Sequence, residues 1–291
     1  LKLRADVAVG GTLNSPMMKG FVSLNDIKLP DMLTSVRTAD IELNNESINI
    51  KVQDLNINGS SMNLDMDASS EFSPVFLIKN MTLSSQLIDA DKLFEAVEKM
   101  NKSMPQSAPV SHTGVASPVV PAKILKGSAM IQKFKMKGTG TDVKASDISG
   151  NFNLSKDLLK INNLKASVYN GIVCGNVDYN LASTALKAKI NGKNIDANPA
   201  VTAFTGIKDQ IMGKVNFDAD LKLKGADYEQ QMKTLNGKVN FSLADGQMGS
   251  LGRFETFLKA DNLISQTFVA SKIGSLVSTV APYNTGKFSY L

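Results

Sequence analysis

Val215-Asn216-Phe217-Asp218-Ala219-Asp220-Leu221-Lys222-Leu223 alternates apolar and polar residues without a break. Successive side chains of an extended strand point to opposite faces. Val215, Phe217, Ala219, Leu221 and Leu223 therefore share one face, and the polar residues share the other. A strand that is apolar on one face only belongs to an antiparallel sheet rather than to a parallel sheet buried on both sides. The same pattern recurs in Val239, Phe241 and Leu243, in Ile48, Ile50 and Val52, and in Met62, Leu64, Met66 and Ala68. Asn58-Gly59, Asn170-Gly171, Asn191-Gly192, Asn236-Gly237 and Asp245-Gly246 punctuate these runs as turn signals. The expected fold is mainly β with a few amphipathic helices: an antiparallel meander curled into a groove or open barrel, built as two related halves.

Three stretches leave the period of two. Asp91 precedes Leu93, Phe94, Val97 and Met100, an apolar stripe at helical spacing with an Asp cap. Asn198-Pro199 precedes Val201, Phe204, Ile207 and Ile211, which reads as a capped helix with Pro at its first position. From Leu251 to Val280 a longer helical pattern carries Phe254, Phe257 and Leu258, then Val269, Ile273 and Leu276. Between the first helix and the next strands, Pro105, Pro109, Pro118 and Pro121 mark a linker or long surface loop. The expected domains are a meander-plus-helix half over 1–102, the linker over 103–121, and a second meander with helices over 122–291. Ile88-Asp89-Ala90-Asp91 and Ile195-Asp196-Ala197-Asn198 stand at the same step of each half, the sign of an internal repeat.

Composition narrows the chemistry. Among 291 residues there are one His, one Cys and no Trp. Such a chain cannot assemble a His/Cys metal centre by itself. His112 lies in a loop-like stretch, whereas a general base needs a fixed setting. Cys174, inside a strand pattern, reads as a small core residue. The pairs Asp65/Asp67 and Asp218/Asp220 sit on polar strand faces without a third ligand, and Asp89/Asp91 reads as helix capping. Gly138-Thr139-Gly140-Thr141 and Gly10-Gly11-Thr12 lack the Lys of a phosphate loop and read as turns or bulges. No enzyme, cofactor or metal is expected. The net charge of +5 is carried by scattered lysines, among them Lys133, Lys135 and Lys137, Lys187 and Lys189, and Lys222 and Lys224. Their spacing fits a solvated sheet face or a basic rim for anionic headgroups. No aromatic residues interleave with them, so the stacking platform that nucleic acid needs is missing.

Apolar surface is what remains. A sheet with one apolar face must cover it, because exposed apolar area costs about 25 cal/mol per Å². Three helices are few for so many strands. The face must therefore curl on itself or hold something apolar. The 13 methionines suit the second course, since thioethers adapt to variable chains. Val215, Phe217, Ala219, Leu221, Leu223, Val239, Phe241 and Leu243 are the candidates for facing lipid.

Several stretches resemble the AsmA-like family of the diderm cell envelope. Leu164 to Val177, with Tyr169, Gly171 and Gly175, is similar to the family's Tyr-and-Gly turn followed by a second Gly in the next strand. Gly11 to Leu24 resembles its strand, Pro turn, strand unit, and Ile195 to Gly225 its helix followed by a strand ending in Lys-Gly. Leu235 to Gly246 resembles its step that opens Leu-x-Gly and ends in Asp-Gly. The resemblance implies a periplasmic β groove that carries phospholipid between inner and outer membranes. It implies an inner-membrane anchor beyond Leu1, envelope protein partners and no catalytic residues. Tyr169, Gly171 and Gly175 would shape a turn rather than touch a ligand. The chain's strand-like start and end read as those of a piece of a longer protein. The alternative is an interaction module for outer-membrane protein assembly, its groove filled by its own helices.

Overall fold

Alternation runs through almost every strand of the structure, a computed structural model. It describes residues 1–12, 15–30, 33–45, 47–69, 76–103, 122–138, 140–209, 211–225 and 228–248. The strands are β1 (Lys2–Thr12), β2 (Ser15–Leu29), β3 (Thr34–Asn44), β4 (Ser47–Ile57), β5 (Ser60–Ser69) and β6 (Phe76–Asp89). After helix α1 (Ala90–Ser103) come β7 (Ala122–Ile124), β8 (Lys126–Met136), β9 (Val143–Ser155), β10 (Leu158–Val168), β11 (Gly171–Asn180) and β12 (Ala185–Asp196). Helix α2 (Ala197–Thr205), β13 (Ile211–Lys224), helix α3 (Tyr228–Thr234) and β14 (Asn236–Met248) complete the order. Neighbours in sequence are neighbours in the sheet, except that β6 is followed by β8 and the short β7 pairs with β6 in parallel. Among the described strands β1 and β14 are the two ends of this order, and the meander is mostly antiparallel as the alternation requires. The helix pattern read over 251–280 and most of the linker lie outside the described residues.

The chain divides into two compact units, one of Leu1–Ser85 and Lys92–Gly127, the other of Gln86–Asp91 with Ser128 onward. In the first, register aligns Leu3, Leu24, Ala39, Val52 and Leu64 in one row and Ala5, Val22, Ile41, Ile50 and Met66 in the next. The polar row behind them sets Lys51 opposite Asp40 and Asp65, and Asn49 donates to both Asp65 and Asp67. That bridge accounts for the first acidic pair without a metal.

Three bulges repeat one design. In Val52–Leu55, Ile161–Leu164 and Gly192–Ile195 one extra residue is inserted against the partner strand. Asp54, Asn163 and Asn194 take it up with φ near 50°, 55° and 54°. This left-handed region is one that Asn and Asp tolerate better than other non-glycine residues. Each bulged N–H is then donated to the side-chain oxygen of an Asn directly across the ladder. Asp54 donates to Asn63 at 2.8 Å, Asn163 to Asn176 at 3.0 Å and Asn194 to Asn216 at 2.9 Å. The bulge takes the extra residue out of the ladder and bends the strand, and the apolar residues beyond it stay on their original face.

The helices depart in detail from the sequence reading. Helix α2 opens at Ala197, so Pro199 stands third, where its missing N–H still has no acceptor to lose. Asn198 does not cap; it brackets Asp209 through a donated and an accepted hydrogen bond of 2.8 and 3.0 Å. Gly206, left-handed at φ 75°, ends the helix, so Ile207 lies beyond it and Ile211 opens β13. Asp91 lies inside the first turn of α1 and accepts from the Lys137 N–H. Of the Asn/Asp-Gly signals, those at 58–59 and 170–171 fall at hairpin turns, while Gly192 and Asp245-Gly246 lie inside strands.

The clamps predict a graded stability effect. Asn176→Ala and Asn216→Ala should each cost about 1 kcal/mol in urea unfolding, as a lost hydrogen bond to a bulged N–H does. Asn→Asp at the same positions keeps the acceptor and should cost clearly less. Equal losses for the two replacements would show that the clamps contribute nothing.

Candidate functional site

In the second unit the register assembles one apolar face from separate strands. Leu154, Leu159, Tyr179, Leu186 and Leu223 form a row from β9 to β13. Phe152, Ile161, Val177, Ala188 and Leu221 form the next, and Leu164, Gly175, Ile190, Ala219 and Val239 a third. Ala166, Val173, Gly192, Phe217 and Phe241 make a fourth, and Ile195, Val215 and Leu243 a fifth. All eight residues expected to face lipid thus stand together on this surface. Leu243 is directly opposite Val215, Phe241 opposite Phe217, and Val239 opposite Ala219.

The face is unevenly covered. Tyr179, Ala188 and Ile195 are buried, and Val215 to Leu223 are half-buried on their apolar side. Val239 is 53% and Phe241 63% exposed. A Cβ on Gly192 would lie 2.2 Å from the Phe217 ring, so the ring rests on bare backbone. This close approach, rather than a turn, explains the Asn191-Gly192 pair.

Helix α2 closes one end of the face. It touches β12 and β13, from which it springs, and also β9. In a flat sheet β9 and β13 would lie about 19 Å apart, four spacings of about 4.8 Å. A helix of 9 residues is only about 13.5 Å long. The strands of this unit must therefore bend around α2. Gly138 and Gly140 meet its last turn: the Gly140 N–H donates to the Ala203 carbonyl, and Cβ atoms on Gly138 and Gly140 would lie 2.4 and 2.1 Å from helix carbonyl oxygens. Ala197 and Ala203, 1% and 0% exposed, give the helix its close seat.

A polar clamp fixes where α2 begins. Asp196 accepts from Asn170 at 2.5 Å and pairs with Lys214 of β13. The hydrogen bond from Lys214, then that from Asn170, holds its carboxyl below the ordinary value of 3.8. The related step behaves alike. Asp89, at the end of β6, pairs with Lys135 of β8 at 2.9 Å, and this bond with the carboxylate raises the Lys135 ammonium above its usual value. Ile88 and Ile195 are buried before the two acids, Ala90 and Ala197 after them.

The turn markers are only partly in a turn. Tyr169 and Asn170, at φ 46° and 63°, form the β10–β11 hairpin. Burial, the main cause, pushes the Tyr169 phenol up; its hydroxyl makes no well-formed hydrogen bond, although the Lys144 backbone lies beside it. Gly171 opens β11 and packs 2.5 Å, measured from a Cβ placed on it, from the Lys193 carbonyl. Gly175 lies mid-strand, where a Cβ would meet the Lys189 carbonyl at 2.4 Å. Cys174 is not in the core: it stands on the polar side of β11, half-exposed, between Lys165 and Asn191. Sequence alone missed the bulge that shifts β10 against it. No group of three or more acidic, His or Cys residues suited to a metal occurs among the described residues. His112 lies outside them. No helix among them is long and apolar enough to cross a membrane.

The family model described as the AsmA family matches residues 12–268. No curated protein and no solved structure matches the chain.

The Asp196 clamp gives a pH prediction with a fixed sign. A carboxyl whose folded value is depressed stabilises above its unfolded value, and that contribution is lost as pH falls through the folded value. Unfolding followed at α2 should therefore become easier with acid below the ordinary 3.8. Asp196→Asn should be less stable at neutral pH and lose part of this acid sensitivity. An unchanged acid profile would remove the clamp from the account.

Proposed function

This chain belongs to the AsmA family, and from that premise we propose that the apolar face of its second unit binds the acyl chains of phospholipid. The protein is then a non-enzymatic segment of an envelope-biogenesis protein, facing the periplasm of a diderm bacterium. Its parent is anchored in the inner membrane and guides lipid between the inner and outer membranes.

The observation that carries this reading is the unbroken apolar surface that ends in two exposed residues, Val239 and Phe241, beside the half-buried Phe217. Exposed aromatic and aliphatic area of this kind costs about 25 cal/mol per Å² until something apolar covers it. The dimensions agree. From Val215 to Leu223 the face runs about 27 Å, eight steps of about 3.4 Å. A single leaflet of hydrocarbon is about 15 Å deep, half of a core about 30 Å thick. One extended acyl chain fits along one strand. Each methylene covered contributes about 0.8 kcal/mol, and no polar group is needed to recognise it. The half-buried surface is made chiefly of Val, Leu, Ile, Ala and Phe, which suits a ligand defined by length and apolarity alone.

A second reading has its own support. Helix α2 closes one end of the face and Phe217 is seated on Gly192. A unit of this kind filled by its own helices would serve as an interaction module in outer-membrane protein assembly.

The two are separated by photo-crosslinking with lipid extraction and native mass spectrometry. A crosslinking residue at Val215, Phe217, Leu221, Val239 or Phe241 should capture co-purified phospholipid. At Asn216 and Asn240, on the other face, it should not. Phe241→Ser should reduce the bound lipid several-fold. Lipid-free protein, with crosslinks only to α2, would overturn lipid binding and favour the interaction module.

A further inference from the structure

The alternation that gathers apolar residues on one side of the second unit gathers lysines on the other. From β10 to β14 the polar face carries nine lysines: two on β10, three on β12, three on β13 and one on β14. Against them stand Asp178, Asp196, Asp218 and Asp220. Two of the lysines are ion-paired, Lys189 with Asp220 at 3.4 Å and Lys214 with Asp196. Lys187 of β12 lies directly opposite Lys222 of β13, and both are exposed. Like charges directly across a ladder are unfavourable, and Asp178 on the other side of Lys187, itself shared with Lys160, offsets this cost only in part.

We infer that this lysine face docks on the surface of a bilayer containing anionic lipid. The chemistry of the array selects that occupant. Every cation on these strands is a Lys, and none is an Arg, whose planar fork would fix a single carboxylate or phosphate. The polar face also carries no aromatic residue on which a base could stack. What remains is a field of point charges spread over four of five neighbouring strands, about 19 Å across at 4.8 Å per strand. A diffuse negative surface satisfies such a field without a defined pocket, and it relieves the Lys187–Lys222 repulsion. The docking face is the reverse of the apolar face, so it does not depend on acyl-chain binding.

Flotation of the whole chain with phosphatidylcholine vesicles, and with vesicles of phosphatidylcholine and phosphatidylglycerol, tests the inference. The protein should float with the anionic vesicles and not with the neutral ones, and added salt should release it. Replacing Lys187, Lys222 and Lys224 together by Gln should weaken binding by on the order of a hundredfold, about fivefold for each lysine. Because these changes remove a repulsion, the fold should survive, which circular dichroism checks. Lys2, Lys28 and Lys79 changed to Gln in the first unit should leave binding unaltered. Phe241→Ser should also leave vesicle binding unaltered, which separates this inference from acyl-chain binding. Equal flotation with both vesicle types, no flotation, or undiminished binding by the Gln variant would overturn it. So would tighter binding to polyglutamate or RNA than to the anionic vesicles.

Discussion

In each unit a strand of alternating sequence must keep the same side chains on the same face as all its neighbours. A slip of one residue in any strand would turn its whole apolar set to the polar side. A two-residue period carries no memory of face across an insertion, so every inserted residue has to be absorbed locally. The bulges at Asp54, Asn163 and Asn194 do this with one geometry, an Asn or Asp at positive φ and an Asn across the ladder. The bulge lets the chain bend without losing register. Bending is what the second unit needs, because α2 has to reach from β13 to β9.

The bend also explains why the core is built from small residues. Ala166, Ala188, Ala197 and Ala203 are buried, and Gly138, Gly140 and Gly192 lie where a Cβ would strike a neighbour. Larger side chains would hold the helix off the strands and the Phe217 ring off β12. The cost is a thin core with few large buried side chains. Much of the apolar surface is then only half-covered, and polar clamps such as Asp196–Lys214 locate the helix where packing alone would not.

Much of this was legible in the sequence, and the reason is periodicity. Val215 to Leu223 announced its face, and the cross-strand partners Val239, Phe241 and Leu243 followed from the same rule. The repeated Ile-Asp-Ala step marked both strand-to-helix junctions. The bulges were not legible, because Asn163 and Asn194 look like ordinary polar positions until their partners Asn176 and Asn216 are placed opposite. Cys174 was misassigned because the apolar Ile172 shares its face, and only the ladder, which sets Ser167 and Lys193 opposite Ile172, shows that face to be the polar one. Helix α3 was missed because Tyr228-Glu229-Gln230-Gln231-Met232-Lys233-Thr234 has no apolar stripe. Its short turns are held instead by Gln231, bonded to the Gly225 carbonyl, and by the Thr234 hydroxyl, bonded to β13.

Register also decides where specificity can reside. An enzyme concentrates its chemistry in a few side chains, and changing one of them removes it. Here the apolar face is the sum of rows, and replacing Val by Leu within a row alters area by a methylene while leaving the face intact. The groups that tolerate least are those that keep rows aligned, the clamping asparagines and the glycines under Phe217 and α2. They touch no ligand in either functional reading. Changes among the apolar residues of a row are therefore mild, whereas changes at the glycines, the Asn bulges or the alternation disturb every row. Gly171 and Gly175, which carry part of the family resemblance, are positions of that second kind, since a Cβ on either would strike a backbone carbonyl of β12.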